Sequence, residues 1–182
     1  MTEIQPKETE MERAFLPSSL PSGLNLCNPN TITDIYLSSA DDLMTKIRLR
    51  NNNGQKFQLT KKVVVDPSDV SVQDEHHIPL TAQEFAMFSA LPGRVVIKDR
   101  YDVDIEGNAA EVDIFRGLLS GFVIIEFEFP NLQAKELFVP PEICATEVTQ
   151  EDFIAGAYLA GKSYADISHD LTRLGYSQIN HE

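Results

Sequence analysis

Val-Ile-Ile-Glu-Phe-Glu-Phe, residues 123–129, decides how this chain is read. The stretch is rich in β-branched and aromatic residues, which favour a strand. Side chains on a strand alternate between its two faces. Ile124, Glu126 and Glu128 therefore share one side, and Val123, Ile125, Phe127 and Phe129 share the other. One face is oily. The opposite face carries two carboxylates about 7 Å apart along the strand. Taken alone, this is the pattern of any antiparallel strand with one solvated side. What lifts it above that reading is its recurrence, with charges of both signs, along the rest of the chain.

Upstream, Glu8–Leu16 alternates with Glu10, Glu12 and Ala14 on one face and Met11, Arg13 and Phe15 on the other. Pro17–Asn30 is rich in proline, serine and asparagine and reads as a loop. Thr31–Leu37 reads as a strand with Ile32, Asp34 and Tyr36 on one face, followed by a polar turn at Ser38–Asp42. Leu43–Arg50 lines up Lys46, Arg48 and Arg50, and Asn51-Asn52-Asn53-Gly54 is a hairpin turn. The return strand, Gln55–Val65, places Gln58, Thr60 and Lys62 together. Asp66–His77 is polar without a clear period, and His76-His77 reads as part of a solvated turn rather than a metal site, because neighbours on a strand face opposite ways.

Thr81–Leu91 reads as a helix, with Thr81 and Glu84 in a capping box and Pro92-Gly93 as its stop. Arg94–Tyr101 is a strand carrying Val96, Lys98 and Arg100 on one face. Glu106-Gly107-Asn108 turns the chain into Glu111–Phe115, where Glu111, Asp113 and Phe115 share a face. After the central strand come a short helical stretch at Asn131–Phe138 and a stop at Pro140-Pro141. A further helix is expected from about Gln150 to Leu174, with Thr149 as its N-cap and Asp152 in its first turn.

The chain has 182 residues, 42% of them hydrophobic and 24% charged, with 28 acidic residues against 15 basic ones and a net charge of −13. Such an acidic surface argues against nucleic acid or an anionic membrane as partner. No apolar run approaches the roughly 20 residues of a membrane span, and no signal-peptide pattern is visible at the N-terminus. Cys27 and Cys144 lack metal-type spacing, so reduced thiols and a cytoplasmic setting are the expectation, with a pairing of the two left open. One domain over 8–175 with a flexible tail at 1–7 is the expected organisation.

Roughly eight strands are enough to close a barrel. If helices such as those around Phe85/Phe88 and Phe153/Tyr158 cover the oily faces, the charged faces are left to line the interior. The expected fold class is thus α+β: an eight-stranded antiparallel β-barrel with a charged interior and helices packed outside. Carboxylates on facing strands suit hard cations such as Mg²⁺ or Mn²⁺. Arginine and lysine grip phosphate oxygens. Together they suit a metal-bound polyphosphate, where positioning and charge neutralisation carry most of the chemistry.

In this arrangement the chain resembles the triphosphate tunnel metalloenzymes, or CYTH domains. Glu10-Met11-Glu12-Arg13-Ala14 is similar to the family's Glu-x-Glu-x-Lys, Ile47-Arg48-Leu49-Arg50 to its Arg-x-Arg strand, and Leu59-Thr60-Lys61-Lys62 to its Leu-Thr-x-Lys. Lys98-Asp99-Arg100-Tyr101 resembles Lys-x-Arg-Tyr, Glu111–Phe115 the Asp-bearing strand, Ile125–Glu128 the Glu-x-Glu strand, and Glu147-Val148-Thr149 a near-terminal Glu-Val-Thr. Asp34–Leu37 looks like the Gly-Tyr-Leu region. The matches keep the family's order from about residue 8 to 160. The resemblance implies an eight-stranded tunnel, dependence on Mg²⁺ or Mn²⁺, and hydrolysis or cyclisation of a small triphosphate or polyphosphate by a monomer or homodimer. It implies metal ligation by Glu10, Glu12, Asp113, Glu126 and Glu128, phosphate binding by Lys46, Arg48, Arg50, Lys62, Lys98 and Arg100, and catalytic roles for Tyr36 and Lys62. Two departures stand out: Ala14 occupies the family's lysine position, and Ser71, Gln73 and Glu75 are the best match to an Arg-x-Glu-x-Glu strand, keeping only its last acid.

The expected function is a divalent-metal-dependent triphosphate hydrolase. The alternatives are a polyphosphate- or nucleotide-binding protein without catalysis, and a class IV-type adenylate cyclase. Ala14 shares a face with Glu10 and Glu12, so a lysine there would stand beside the metal carboxylates. Ala14→Lys is expected to raise kcat with a modest change in KM, within the roughly 10²–10⁴-fold that general-base help supplies. Steady-state kinetics on a panel of triphosphates checks this, and a folded variant with kcat unchanged or lower on all of them rejects it.

Overall fold

The computed structural model describes residues 8–24, 28–39 and 44–180. The expected tail at 1–7, Cys27 and part of the Ser38–Asp42 turn lie outside the described residues.

Nine strands form one antiparallel sheet: β1 (Glu8–Pro17), β2 (Asn30–Tyr36), β3 (Thr45–Asn52), β4 (Lys56–Asp66), β5 (Asp69–Leu80), β6 (Arg94–Ile105), β7 (Asn108–Phe115), β8 (Val123–Glu128) and β9 (Cys144–Glu147). Eight of them close on themselves in the order β5-β4-β3-β2-β6-β7-β8-β1, with β1 pairing back onto β5. β1 makes the closure. One edge takes β8, setting Glu12 opposite Glu128 and Ala14 opposite Glu126. The other takes β5, with Glu10 opposite Gln73, and then β9, with Phe15 opposite Glu147. The two hairpins read from sequence are present. Asn53 and Gly54 at φ 52° and 68°, and Glu106 and Gly107 at φ 54° and 83°, take the left-handed conformations that a two-residue hairpin turn demands.

The alternation of the central strand holds. Phe127 is buried on the outside against Phe15 and Phe138, with ring centroids 5.9 and 4.7 Å away, in an apolar layer that also holds Tyr101, Val112, Ile114 and Ile125. Helix α2 (Leu132–Leu137), capped by Asn131, and the chain after it lie over this layer.

Three expectations need correcting. His76-His77 is not part of a solvated turn: with most of the polar stretch Asp66–His77 it belongs to β5, which pairs with both β4 and β1. Its polar alternation is that of a strand whose inner face looks into a charged lumen. Helix α1 (Ala82–Phe88) forms with its Thr81–Glu84 capping box, but it buries no residue and leaves Phe88 39% exposed. It covers little of the outer face, where half-buried Phe85 packs on Phe57 of β4 with ring centroids 5.0 Å apart. The third correction concerns the C-terminal region, which is not one helix from Gln150. It comprises a 3₁₀ turn (Asp152–Ile154), α3 (Gly156–Leu159) and α4 (Tyr164–Arg173), the last capped by Ser163 and Asp166. Thr149 caps nothing; its hydroxyl accepts from the Ala14 N–H at 3.1 Å and donates to Glu147 at 2.8 Å.

These pieces plug the barrel rather than wrap it. Phe153, Ala157, Leu159, Ile167 and Leu171 pack against Ala14, Leu16, Tyr36, Val96, Phe115 and Ile124, all on inward faces of their strands. Arg94 pins the plug in place by donating to the carbonyls of Ala157, Ala160 and Ser38. Phe127→Ala removes a ring that is 2% exposed from the outer layer. The expected loss of stability is about 3–5 kcal/mol in urea unfolding, as for other buried aromatic truncations.

Candidate active site

Inward residues of the eight strands meet above the apolar floor, and the lumen they line is divided by charge. β7, β8 and β1 contribute Glu111, Asp113, Glu126, Glu128, Glu10 and Glu12. β3, β4 and β6 contribute Lys46, Arg48, Arg50, Lys62, Lys98 and Arg100. Every site residue expected from the sequence, Tyr36 included, lines this one chamber.

The basic wall is braced by carboxylates the sequence reading did not assign. Asp34, 2% exposed, receives two hydrogen bonds of 2.8 Å from Arg50 and lies 3.8 Å from Arg48. Burial works to raise its pKa, but the two guanidiniums win and hold it at about 2. Glu75, also 2% exposed, lies 2.6 Å from Lys62 and 4.0 Å from Arg48. Lys62 and then Arg48 hold its pKa at about 2 against the same burial. Asp34 had a signal in its shared face with Tyr36. Glu75 had one as the surviving acid of a degraded strand motif, but no role was assigned to it. His77 was set aside, yet its ring is on the inner face, with Nε2 3.2 Å from Glu75.

The expected metal carboxylates divide into kinds. Asp113 is 1% exposed, with both oxygens taken by Arg100 and one also by Lys98, and these cations hold its pKa well down against burial. Glu126 accepts from Arg100 at 2.8 Å, and Glu10 from Lys62 at 2.8 Å. Glu12 makes no ion pair among the described residues; it accepts a 3.5 Å hydrogen bond from the Gln73 amide. Burial raises its pKa, as do Glu126, Glu10 and Glu75, with Lys62 only partly opposing them. Glu128 is raised by burial and by Glu10. A carboxylate enclosed among like charges is what a cation would relieve. Glu12, Glu126 and Glu128 offer the oxygen donors a hard divalent ion takes, but among the described residues it is Glu10, Glu75 and His77 whose ligand atoms gather within 4.8 Å of one another.

Tyr36 and Lys62, the expected catalytic pair, both keep their protons. Burial raises the Tyr36 phenol, and Arg48 donates to its oxygen. Burial would lower Lys62, but Glu12, Glu75 and Glu10 more than restore it. Neither can act as a base near neutrality. Tyr36 is also wedged against the plug: a Cβ on Gly156 would stand 2.3 Å from its hydroxyl oxygen, so only glycine allows that approach. The Arg48 Nε is buried with no hydrogen-bond partner, a donor left for something that enters the lumen. Burial and Lys62 lower Lys46 to about 8. Ala14 does face inward, but it is 3% exposed within the floor and directly opposite Glu126. A lysine there must leave the floor and reach toward that carboxylate.

No family model matches the chain. An inorganic triphosphatase from Nitrosomonas europaea is 32% identical over 145 residues, 79% of this chain and 91% of that protein. A crystal structure of an inorganic triphosphatase superposes with a TM-score of 0.60 at 29% identity, covering 84% of this chain and 95% of that one. A putative adenylate cyclase from Bacillus halodurans gives a TM-score of 0.58 at 17% identity, over 98% of this chain and 96% of that one, a likeness of fold.

Glu111 gives the site a pH signature. Burial, aided by Glu126, Asp113 and Glu128, pushes its pKa up to about 7 despite its contact with Arg100. In the native state it holds a proton that the unfolded chain releases near pH 4.5, so native stability falls as pH rises from about 4.5 to 7. Asp34 and Glu75 act oppositely: their contribution is present above about pH 4.5 and lost as pH drops toward 2. In metal-free buffer, Glu111→Gln is expected to remove on the order of 2 kcal/mol of the decline between pH 4.5 and 7. Urea unfolding across that range measures it, and parallel curves for the two proteins count against the assignment.

Proposed function

The chain belongs to the CYTH, or triphosphate tunnel metalloenzyme, family, and we propose on that footing that it is a divalent-metal-dependent hydrolase of inorganic triphosphate or a small organic triphosphate. The observation that carries the reading is the facing of two walls in one chamber: Lys46, Arg48, Arg50, Lys62, Lys98 and Arg100 on one, and on the other Glu111, Asp113, Glu126, Glu128, Glu10 and Glu12, the last with no ion pair among the described residues.

In this reading Arg48, Arg50, Lys46, Lys62, Lys98 and Arg100 take the phosphate oxygens, the arginines through paired N–H donors. Glu12, Glu126 and Glu128, with Glu10 beside them, hold Mg²⁺ or Mn²⁺. A bound ion of this kind neutralises phosphate charge and lowers the pKa of its water. Asp34, Glu75 and Asp113 keep the cations extended and fixed before substrate arrives, so little reorganisation is left for the reaction. Water attacks the terminal phosphorus, the bond to the bridging oxygen breaks, and pyrophosphate leaves. Tyr36 and Lys62 serve as proton-bearing donors to developing oxygen charge. The apolar floor of Phe115, Ile124 and Val96 closes the chamber at one end.

Ala14 favours a second reading, a polyphosphate or nucleotide binder that kept the chamber and lost turnover. Phosphate release from tripolyphosphate with Mg²⁺ or Mn²⁺ separates the two. The expected result is metal-dependent release abolished by chelation, with a combined Glu126→Gln and Glu128→Gln variant weakening both Mn²⁺ binding and turnover at least tenfold. Tripolyphosphate binding without release, on any of these metals and with nucleotides also tested, establishes the binder instead.

A further inference from the structure

We infer that Glu10, Glu75 and His77 form a second cation site, which takes a zinc-like divalent ion in exchange for the Lys62 ammonium. One ligand atom from each of the three lies within 4.8 Å of the other two. Donors on a tetrahedral zinc ion, each at about 2.0–2.2 Å, stand about 3.3–3.6 Å apart. Small side-chain rotations therefore bring all three into reach, with a fourth position left open.

The set is chemically unlike the carboxylates on the opposite side of β1. Glu10 is paired toward β5, opposite Gln73, whereas Glu12 is paired toward β8, opposite Glu128. Register thus turns Glu10 to the Glu75 side. An imidazole nitrogen in a set of two carboxylates favours zinc, cobalt or similar ions over magnesium. The ring is also held from behind: its Nδ1 lies 3.1 Å from the Thr60 hydroxyl, its cross-strand partner, and contacts the Gln58 amide. As placed, the Gln58 amide N–H points at Nδ1 and Nε2 faces Glu75, so the ring proton sits on Nε2; binding an ion there moves that proton to Nδ1, where the Thr60 hydroxyl and, with its amide turned over, the Gln58 oxygen accept it.

A positive charge already occupies the cleft. Lys62 Nζ sits 2.8 Å from Glu10 and 2.6 Å from Glu75. A divalent ion bound by His77 would compete with that ammonium for the same two carboxylates. Lys62 and the metal are therefore alternatives, and the site's affinity is set by the exchange.

Calorimetric titration of the full-length, metal-free protein with Zn²⁺, and visible absorption with Co²⁺ as the probe ion, test this. His77→Gln is expected to weaken Zn²⁺ binding at least tenfold and to remove the nitrogen-ligated Co²⁺ spectrum. Lys62→Met is expected to tighten Zn²⁺ binding at least tenfold, an effect no loss of folding can mimic. The combined Glu126→Gln and Glu128→Gln variant should keep the Zn²⁺ site. Unaltered Zn²⁺ binding in both His77→Gln and Lys62→Met, loss of the site in the Glu126/Glu128 variant, or no Zn²⁺ binding by the wild-type protein would overturn the inference. Because the readout is Zn²⁺ binding and not tripolyphosphate hydrolysis, either result stands whatever the hydrolysis assay returns.

Discussion

Pairing β1 to both β5 and β8 is the constraint on which everything else depends. Without that closure the inward faces of eight strands would be the solvated side of an open sheet, and their charges would be screened by water. With it, acids and bases are held within a few ångströms of one another in a place where water is scarce. Coulomb interactions there are several times stronger than on a surface. The spread of behaviour among the lumen carboxylates follows: Asp34 and Glu75 at about 2, Glu111 at about 7. The side-chain chemistry is nearly the same; the neighbours differ.

Strand order decides those neighbours. Cationic strands β4, β3 and β6 adjoin one another apart from β2, which supplies Asp34; acidic strands β7, β8 and β1 adjoin on the far side. Where the two halves meet, the charges pair: Arg100 and Lys98 with Asp113 at one seam, Lys62 with Glu75 and Glu10 at the other. Between those pairs compensation is only partial. Burial with Glu126, Glu10 and Glu75 raises Glu12 against Lys62, and burial with Lys62 and Arg48 lowers Lys46 against Glu12 and Glu75. Buried charge left partly uncompensated is destabilising. A protein that keeps it in two opposed arrays has a lumen suited to a ligand carrying both a cation and an anion.

The C-terminal plug gives this lumen a direction. Charged side chains occupy the part away from α3 and α4, and apolar ones the part against them. Tyr36 stands at the junction, its ring in the floor and its hydroxyl beside Arg48, over a glycine that leaves no room for a side chain.

Alternation by itself determined much of this protein. Period two in Val123–Phe129, Glu10–Ala14, Lys46–Arg50 and Lys98–Arg100 identified strands, faces and the candidate phosphate and metal residues, because which side a side chain takes is a local property of extended backbone. The Thr81–Glu84 box and the Asn53-Gly54 turn were legible for the same reason. Tertiary structure decided what depends on residues distant in sequence. Asp69–Leu80 could be matched to a strand through Ser71, Gln73 and Glu75 but not read as one from its own pattern, since its inner face is satisfied by residues distant in sequence, Lys62 and Arg48 at Glu75, Lys46 at Gln73 and Lys135 at Ser71. Phe153 and its neighbours read as an outer covering helix, yet extended backbone at Ala155 and the left-handed Gly161 divide it into pieces short enough to enter the barrel end. Nor could sequence distinguish Glu12 from Asp113: both are acids on an inner face, and only the placement of Lys98 and Arg100 against Asp113 makes it a paired strut, while Glu12 makes no ion pair among the described residues and is opposed only in part by Lys62.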